Sequence, residues 1–399
     1  MWHPNMYRQV INSLLDNDLY AFTMSQAALN QYPDVVTEDS LIIRKPIDFP
    51  PDFGLELQHQ IDLMSNLVVF KEQAEFLKRK CYYLKAPFID WFKNYQFDPR
   101  EVSVTQEGSK LEVKIHGKFC RTVFWETPLM ALISELYYMM TKQVPDPFYI
   151  QRAEEKGDFL RMIGARFSEF GTRRRFSWEV QKNVLKALIE TAGLSSDNGV
   201  LNGTSNVQLA MDLDLTPMGT NAHKWYQLHQ GLFGIRMANR MALESWQREF
   251  DTRLGIALTD TFTTDEFLLS FDRHMALLHD GVRQDSGDVF EYADKIIDHY
   301  LSVNIDPASK TILFSDSLNC DMVDLITSYC RGKIKCAFGI GTFLSNDILN
   351  VEPLRIVIKQ IAVYLPSGRR IFTVKISDDP GKASGDPTAL AHAKYELGL

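Results

Sequence analysis

The 399-residue sequence contains only five cysteines, and none of them forms a C-x-x-C pair. Neither a disulfide framework nor a cysteine-based zinc site is therefore expected, and reduced thiols in a cytoplasmic protein are the simplest interpretation. The chain has no run of about eighteen apolar residues. Its first residues, MWHPNMYRQVINSLLDND, lack the apolar core of a signal peptide. Neither a membrane span nor a secretory leader is expected.

Basic residues are also scarce relative to acidic ones. The chain has 43 lysines and arginines against 51 aspartates and glutamates, a net charge of −8 at pH 7. Nucleic-acid-binding proteins usually carry a basic surplus, so no nucleic-acid partner is expected. Small anionic ligands stay compatible with this balance, because a local group of arginines can bind them on an acidic protein.

Several common catalytic signatures are missing as well. The sequence contains no Walker loop, no zinc motif, no G-x-G-x-x-G with an acidic follower and no serine or cysteine triad signature. The strand end typical of many phosphoribosyl pyrophosphate binders, two adjacent aspartates within an apolar-then-threonine run, is also absent. What is present instead is the composition of a globular protein, with 45% apolar and 24% charged residues.

The spacing of apolar residues changes along the chain and predicts three segments. Residues 1–135 are mostly helical with one hairpin, which indicates an N-terminal α+β domain. In residues 136–350 short β-branched runs alternate with helices, as in a parallel sheet with crossover helices. Residues 351–399 contain an antiparallel hairpin across Pro366-Ser367-Gly368, which we expect to pack with the N-terminal domain.

Individual elements follow from spacing and end residues. Helices are expected over residues 19–29, 55–80, 129–140, 263–278 and 288–302. A further helix should be capped by Ser177 and end at Gly193. The early hairpin should turn at Glu107-Gly108-Ser109. Strands are expected over residues 255–260, 281–285, 311–316 and 335–341.

Each of these strands ends in polar residues, which favours a barrel. The four pairs at the strand ends are Thr259-Asp260, Arg283 with Asp285, Ser315-Asp316 and Gly341-Thr342. An α/β barrel builds its site in this way at the carboxyl face, whereas an open doubly wound sheet concentrates such groups at one switch point. The fold class is therefore α/β, with an irregular α/β barrel as the preferred architecture.

Two motifs in the middle of the chain could bind anions. FGTRRRF (170–176) holds Arg173, Arg174 and Arg175 just before a helix, and guanidinium groups bind phosphate or carboxylate bidentately. A solvated basic turn would look the same. GTSN (203–206) offers Thr204 and Ser205 beside a glycine, where backbone amides can approach a ligand.

Three further motifs carry chemically capable side chains. TPMGTNAHKW (216–225) sets Thr220 three residues before His223, an imidazole that could attack a phosphoryl group or simply be structural. GVRQDSGD (281–288) combines Arg283, which could grip a carboxylate, with Asp285, which could hold ribose hydroxyls or Mg²⁺. Its plainer interpretation is a strand-to-helix turn capped by Ser286 or Asp288. FGIGT (338–342) could cradle a phosphate or form an ordinary tight turn.

Together these segments resemble the nicotinate phosphoribosyltransferase family. LLDNDLYAFTM, FGTRRRFS, GTSN, TPMGTNAHKW, GIALTDTFTTDEFL, GVRQDSGD, FSDSLN, FGIGTFLSND and KISDDPGK occur in the family's order across nearly the whole chain. The resemblance implies a type II phosphoribosyltransferase fold, an irregular α/β barrel with an α+β domain, in a homodimer with active sites at the interface. It also implies transfer of a phosphoribosyl group from phosphoribosyl pyrophosphate to nicotinate, the entry to NAD salvage, with ATP and Mg²⁺.

The resemblance assigns roles residue by residue. It implies that ATP phosphorylates His223 and that Tyr20, supplied by the neighbouring subunit, stacks on the pyridine ring. Thr220 and Arg283 match contacts to nicotinate, and Thr342, following Gly341, matches a contact to the 5′-phosphate. The substrate-binding set expected beside the catalytic His223, Arg283 and Asp285 is Tyr20, Arg173, Arg174, Thr204, Ser205, Thr220, Ser286, Gly341 and Thr342. Mg²⁺ is expected mainly on substrate phosphates, with Asp285 as a candidate ligand.

One departure and three alternatives accompany this resemblance. Gln284 replaces the histidine that close bacterial relatives often carry, so a proton-transfer role at that position is in doubt while Arg283 and Asp285 are unaffected. The alternatives are a nicotinamide or a quinolinate phosphoribosyltransferase of the same fold, and a non-catalytic barrel that binds phosphoribosyl ligands. Nicotinamide would favour an acidic group facing its amide, and quinolinate would require an additional cationic contact.

Overall fold

The computed structural model describes residues 7–399, so the first six residues of the predicted N-terminal domain lie outside the described residues. Within residues 7–399 the helices are α1 (Leu19–Gln31), α2 (Phe53–Met64), α3 (Lys71–Lys80), α4 (Ala86–Phe92), α5 (Phe119–Thr122), α6 (Glu126–Met140), α7 (Tyr149–Met162), α8 (Trp178–Ala192), α9 (Val207–Asp212), α10 (His223–Phe233), α11 (Ile235–Phe250), α12 (Thr264–Ser270), α13 (Arg273–Leu278), α14 (Val289–Ser302), α15 (Cys320–Cys330), α16 (Thr342–Ser345) and α17 (Pro387–Leu397). The strands are β1 (Val36–Ile43), β2 (Val102–Glu107), β3 (Lys110–Lys118), β4 (Phe167–Glu169), β5 (Leu201–Thr204), β6 (Ile256–Leu258), β7 (Gly281–Gln284), β8 (Thr311–Phe314), β9 (Lys335–Ile340), β10 (Ile356–Tyr364) and β11 (Arg370–Phe372).

The first sheet is antiparallel and has the order β11-β10-β1-β3-β2. The predicted hairpin β2–β3 is confirmed, and Gly108 at its turn has a φ of +60°, a left-handed conformation that glycine adopts without strain. The predicted C-terminal hairpin β10–β11 is also present, and β10 pairs with β1 from Val36 opposite Tyr364 to Ile43 opposite Ile356. The end of the chain therefore completes the sheet that the beginning starts.

The second sheet is parallel and has the order β5-β4-β9-β8-β7-β6. Its strands are short and mostly buried, and helices connect them, as the alternation in the sequence predicts. Among the described residues the hydrogen-bonded ladder is open between the two outer strands, β5 and β6. All six strands point the same way, so their carboxyl ends meet at one edge.

Two predicted helices are each divided in two. The stretch 55–80 forms α2 and α3, because the Ser65 hydroxyl donates to the carbonyl of Asp62 at the end of α2 and Gln73 accepts from the Phe70 backbone at the start of α3. The stretch 263–278 forms α12 and α13, where Asp272 caps the second helix. By contrast, Ser177 caps α8 as predicted.

Helix α10 lies against the antiparallel sheet and brings the two sheets together. A Cβ at Gly231 would lie 2.5 Å from the Cβ of Val363 on β10, so only glycine permits this approach. Gln227 donates to the Gln360 carbonyl at 3.2 Å, one turn after the start of the helix. None of the helices found in residues 7–399 has the length and apolar character needed to span a bilayer.

Candidate active site

The candidate site is a cavity between the carboxyl edge of the parallel sheet and the antiparallel sheet. Residues from both parts of the chain line it: Asp18, Tyr20, Glu126, Phe170, Arg173, Ser205, Gly219, Thr220, Ala222, His223, Lys224, Gln227, Leu258, Arg283, Asp285, Val357, Ile358 and Lys359. Seven of the residues predicted from the sequence are in this set. They are Tyr20, Arg173, Ser205, Thr220, His223, Arg283 and Asp285.

His223 is the first residue of α10 and is 12% exposed at its side chain. Its Nδ1 lies 3.0 Å from Thr261 Oγ1, and its Nε2 lies 3.0 Å from both Asp285 Oδ2 and Lys375 Nζ. A proton on Nε2 suits Asp285, which accepts, whereas a free Nε2 suits the Lys375 ammonium, which donates. The two neighbours therefore favour opposite tautomers of the same ring.

Burial and one neighbouring ammonium keep the His223 ring neutral at physiological pH. Burial and the Lys375 ammonium lower the pKa of His223 to about 4. Burial alone would raise the pKa of Asp285, but Arg283 and the hydrogen bond with His223 outweigh it and hold that pKa well below its usual range. The site thus contains an uncharged imidazole beside an ionised carboxylate.

Arg283 is held rigidly at the end of β7. Its Nε donates to Ser315 Oγ at 2.8 Å, and its Nη2 donates to Asp285 Oδ1 at 3.2 Å. Its Nη1 lies 3.4 Å from both Thr220 Oγ1 and the Asn221 carbonyl. Four partners fix the guanidinium plane, which lines the cavity in a set orientation.

The three consecutive arginines have three different surroundings. Arg175 is fully buried and binds Asp16 bidentately, at 2.7 and 2.8 Å. Arg173 lines the cavity, with its Nη1 3.6 Å from Glu126 Oε1 and its Nε 3.8 Å from Asp18 Oδ2. Arg174 is half-buried outside the cavity lining, where burial and the charge of Arg173 lower its pKa to about 10. Arg175 is therefore structural, and Arg173 faces the site.

Aromatic rings form one wall of the cavity. Tyr20 is 7% exposed, and its hydroxyl lies 2.9 Å from Thr127 Oγ1. The guanidinium carbon of Arg173 is 6.0 Å from the centre of the Tyr20 ring. Phe170, which the sequence did not single out, also lines the cavity. Tyr20 and Phe170 therefore both line the cavity of their own chain.

The other predicted residues lie around the cavity rather than in its lining. The Thr204 hydroxyl donates to Glu169 Oε2 at 2.6 Å, and the Ser286 hydroxyl donates to Asp260 Oδ2 at 2.6 Å, so both are engaged within the protein. Gly341 and Thr342 follow β9 at the same sheet edge, where Gly341 approaches the Phe170 carbonyl closely.

Two lysines of the C-terminal hairpin region were not predicted. Lys375 contacts His223 and donates to Asp260 Oδ2 at 2.8 Å. Lys359, on β10, lines the cavity, and burial together with the charge of Lys375 lowers its pKa to about 7. KISDDPGK was among the motifs that carried the resemblance, so it was the available indication that residues near 375 belong to the site.

One group of side chains could hold a metal ion. Ligand atoms of His223, Asp260 and Asp285 lie within 4.8 Å of one another. Mg²⁺ prefers an all-oxygen octahedral set, and this group includes an imidazole and already contacts the ammonium of Lys375. The two carboxylates fit Mg²⁺, but the group as a whole fits poorly.

Comparison with known proteins identifies the family. The family model for the N-terminal domain of nicotinate phosphoribosyltransferase matches residues 15–134, and the nicotinate phosphoribosyltransferase family model matches residues 165–399. The chain belongs to the nicotinate phosphoribosyltransferase family. The predicted resemblance to this family and the predicted α/β fold class are therefore both confirmed.

Individual nicotinate phosphoribosyltransferases are similar over their full length. The protein of that name from Chromohalobacter salexigens is 42% identical, covering 98% of this chain and 99% of its own. The one from Desulforapulum autotrophicum is 44% identical over 96% and 98%. The crystal structure of the Porphyromonas gingivalis nicotinate phosphoribosyltransferase superposes with a TM-score of 0.95 at 38% identity, covering 98% of this chain and all of the other. The Vibrio cholerae structure gives 0.90 at 36% identity, with coverage of 100% and 96%.

Proposed function

We propose that this chain transfers the 5-phosphoribosyl group from phosphoribosyl pyrophosphate to nicotinate, giving nicotinate mononucleotide and pyrophosphate. Family membership over the whole length supports this reaction. The observation that carries the site assignment is the geometry of Arg283. A guanidinium held by four partners next to an aromatic wall suits a flat ring that bears a carboxylate.

Nicotinate would bind with its carboxylate toward Arg283 and Thr220 and its ring against Tyr20. The pyridine nitrogen is itself the nucleophile, so this step needs no general base. The protein's task is to aim that nitrogen at the anomeric carbon and to stabilise the positive charge that develops on the ribose as pyrophosphate leaves. Asp285, which is ionised at neutral pH, supplies a negative charge at the carboxyl edge of the parallel sheet.

Phosphates of the donor would bind at the cationic parts of the site. Arg173 and Arg174 are assigned to the anionic groups, and the backbone at Gly341 and Thr342 to the 5′-phosphate. Thr204, Ser205 and Ser286 are assigned supporting roles, since their hydroxyls are hydrogen-bonded to Glu169, Asp18 and Asp260 respectively. Mg²⁺ would enter mainly with the substrate phosphates, where it would neutralise pyrophosphate.

ATP is proposed to phosphorylate His223. A neutral imidazole nitrogen attacks the γ-phosphorus, the bond to the bridging oxygen breaks, and ADP leaves. Water later takes the phosphoryl group and restores the imidazole. Two features favour this role: the pKa of about 4 keeps the ring nucleophilic, and the start of α10 offers backbone N–H groups to an added phosphoryl group. The new charge would reorganise the loops that carry Arg173 and Asp285 and so raise affinity for phosphoribosyl pyrophosphate.

The proposal is tested by measuring nicotinate mononucleotide formation with and without ATP, for the wild type and for His223→Asn. We expect ATP to stimulate the wild type and radiolabelled ATP to leave acid-labile phosphate on it. His223→Asn should lose both effects while retaining some ATP-independent transfer. ATP consumption that stays tied to product in His223→Asn would exclude the phosphohistidine.

The same assay separates the alternatives. Nicotinate, nicotinamide and quinolinate are compared side by side, and we expect nicotinate to be the preferred acceptor. Phosphoribosyl pyrophosphate that binds without turnover of any of the three would favour a non-catalytic barrel. A homodimer with active sites at the interface, which the resemblance implies, is tested separately by sedimentation.

A further inference from the structure

The residue after His223, Lys224, belongs to a buried ionic cluster and lines the same cavity. Lys224 Nζ lies 3.2 Å from Asp39 Oδ1 on β1 and 3.0 Å from Glu126 Oε2 at the start of α6. The side chains of all three are at most 6% exposed. Two successive residues of α10 thus contact the parallel sheet edge on one side and the N-terminal part of the chain on the other.

The second oxygen of Glu126 continues the chain of contacts. Glu126 Oε1 lies 3.6 Å from Arg173 Nη1, and Arg173 lies over the ring of Tyr20. Glu126, Arg173 and Tyr20 all line the cavity that His223 lines. An unbroken series of charged contacts therefore leads from the residue beside His223 to the wall assigned to the pyridine ring.

We propose that Lys224 is a positioning residue that couples the phosphorylation state of His223 to the Glu126–Arg173 pair in the lining of the same cavity. This inference rests on the proposed function, in which His223 accepts a phosphoryl group. Lys224 would act by setting how firmly Glu126 holds Arg173.

The contacts are suited to readjustment. Lys224 Nζ lies at ion-pair distance from both Asp39 Oδ1 and Glu126 Oε2, so a small shift changes how the ammonium is shared between the two carboxylates. A phosphoryl group on His223 adds about −1.5 to −2 charges one residue away. That charge attracts the Lys224 ammonium, weakens its hold on Glu126, and leaves Glu126 to bind Arg173 more tightly. Arg173 would then move relative to Tyr20.

A charge-matched variant tests this coupling. Asp39→Asn/Lys224→Met removes one positive and one negative charge, so the net charge of the cluster is unchanged and no lone cation is lost. The readout is the amount of ATP hydrolysed per nicotinate mononucleotide formed, together with acid-labile phosphate on the protein. We expect the double variant to keep the phosphate and to raise ATP consumed per product on the order of tenfold.

Asp39→Asn alone is the control, because it leaves the Lys224–Glu126 contact in place and should keep the wild-type ratio. A wild-type ratio in the folded double variant would overturn the inference while leaving the proposed function intact. Failure of the wild type to form acid-labile phosphate would instead remove the proposed function. If the double variant does not fold, Lys224→Arg keeps the charge and alters its geometry, and an unchanged ratio in that variant also overturns the coupling.

Discussion

The ammonium of Lys375 lies 2.8 Å from Asp260 Oδ2, with side-chain exposures of 2% and 0%. The two residues are 115 positions apart, one directly after the C-terminal hairpin and the other just beyond β6. Their contact fixes the end of the chain to the carboxyl edge of the parallel sheet. Lys375 also reaches His223, so the segment that closes the antiparallel sheet supplies part of the site.

Replacing this lysine should destabilise the protein strongly. Lys375→Met leaves Asp260 buried without its main counter-charge, which costs about 3–5 kcal/mol in comparable cases. The measurement is the free energy of unfolding in urea. Lys375→Met/Asp260→Asn is the control and should recover much of the loss, because no uncompensated charge remains. Equal losses in the single and double variants would contradict the account.

Replacement by methionine should lower the stability of the protein at Arg175 and weaken substrate binding at Arg173. Arg175→Met removes the buried bidentate partner of Asp16 and should cost about 3–5 kcal/mol of unfolding free energy, again measured in urea. Arg173→Met should cost clearly less unfolding free energy than Arg175→Met, because its ion pairs with Asp18 and Glu126 are long, at 3.8 and 3.6 Å, and its own side chain is 36% exposed. It should instead raise the KM for phosphoribosyl pyrophosphate.

The inverse pattern, with stability lost at 173 and substrate affinity lost at 175, would show that the two guanidinium groups have been assigned the wrong roles. Arg174→Met provides an intermediate case. Its side chain is half-buried and lies outside the cavity lining, so a smaller effect on KM than that of Arg173→Met is expected.

Helix ends and turns were predicted correctly where the contacts that determine them lie within a few residues. The Ser177 hydroxyl accepts from the Val180 N–H three residues later, and the turn at Gly108 follows from residues beside it. The strand-end polar residues were also predictable, because parallel strands share a carboxyl edge. These patterns were enough to predict the two hairpins and the parallel sheet and to place Arg283 and Asp285 at its carboxyl edge, whereas His223 joined them only through the family resemblance.

Contacts between distant segments could not be obtained in this way. The three consecutive arginines look equivalent in the sequence, yet Asp16, which lies 159 positions earlier, makes Arg175 structural. Lys375 appeared to belong to a peripheral hairpin, since nothing near it in sequence indicates Asp260 as its partner. The division of the 263–278 helix depends on Asp272, which could equally have stood on a helix surface.

Arg283→Lys should impair recognition of nicotinate in particular. A lysine ammonium cannot reproduce the planar fork that Ser315, Asp285 and Thr220 orient. We expect the KM for nicotinate to rise on the order of 10- to 100-fold, a loss of about 1.5–3 kcal/mol for a charge-assisted contact. Nicotinamide, which lacks the carboxylate, is the matched substrate and should lose less. An equal loss for both acceptors would indicate that Arg283 does not bind the carboxylate.

Phosphorylation of His223 should be insensitive to pH over the range in which an ordinary histidine titrates. Burial and Lys375 lower the pKa of His223 to about 4, and only the neutral ring is nucleophilic. The rate of acid-labile phosphate formation, measured by rapid quench at saturating ATP, should therefore stay level between pH 8 and about 5.5, and should fall only as the pH approaches 4. Replacing Lys375 by methionine removes a charge that lowers this pKa, so the inflection should move to higher pH in whatever fraction of that variant folds. An inflection near 6.5 in the wild type would mean that the imidazole is solvated and free of the lysine's influence, and the proposed arrangement around Nε2 would then be untenable.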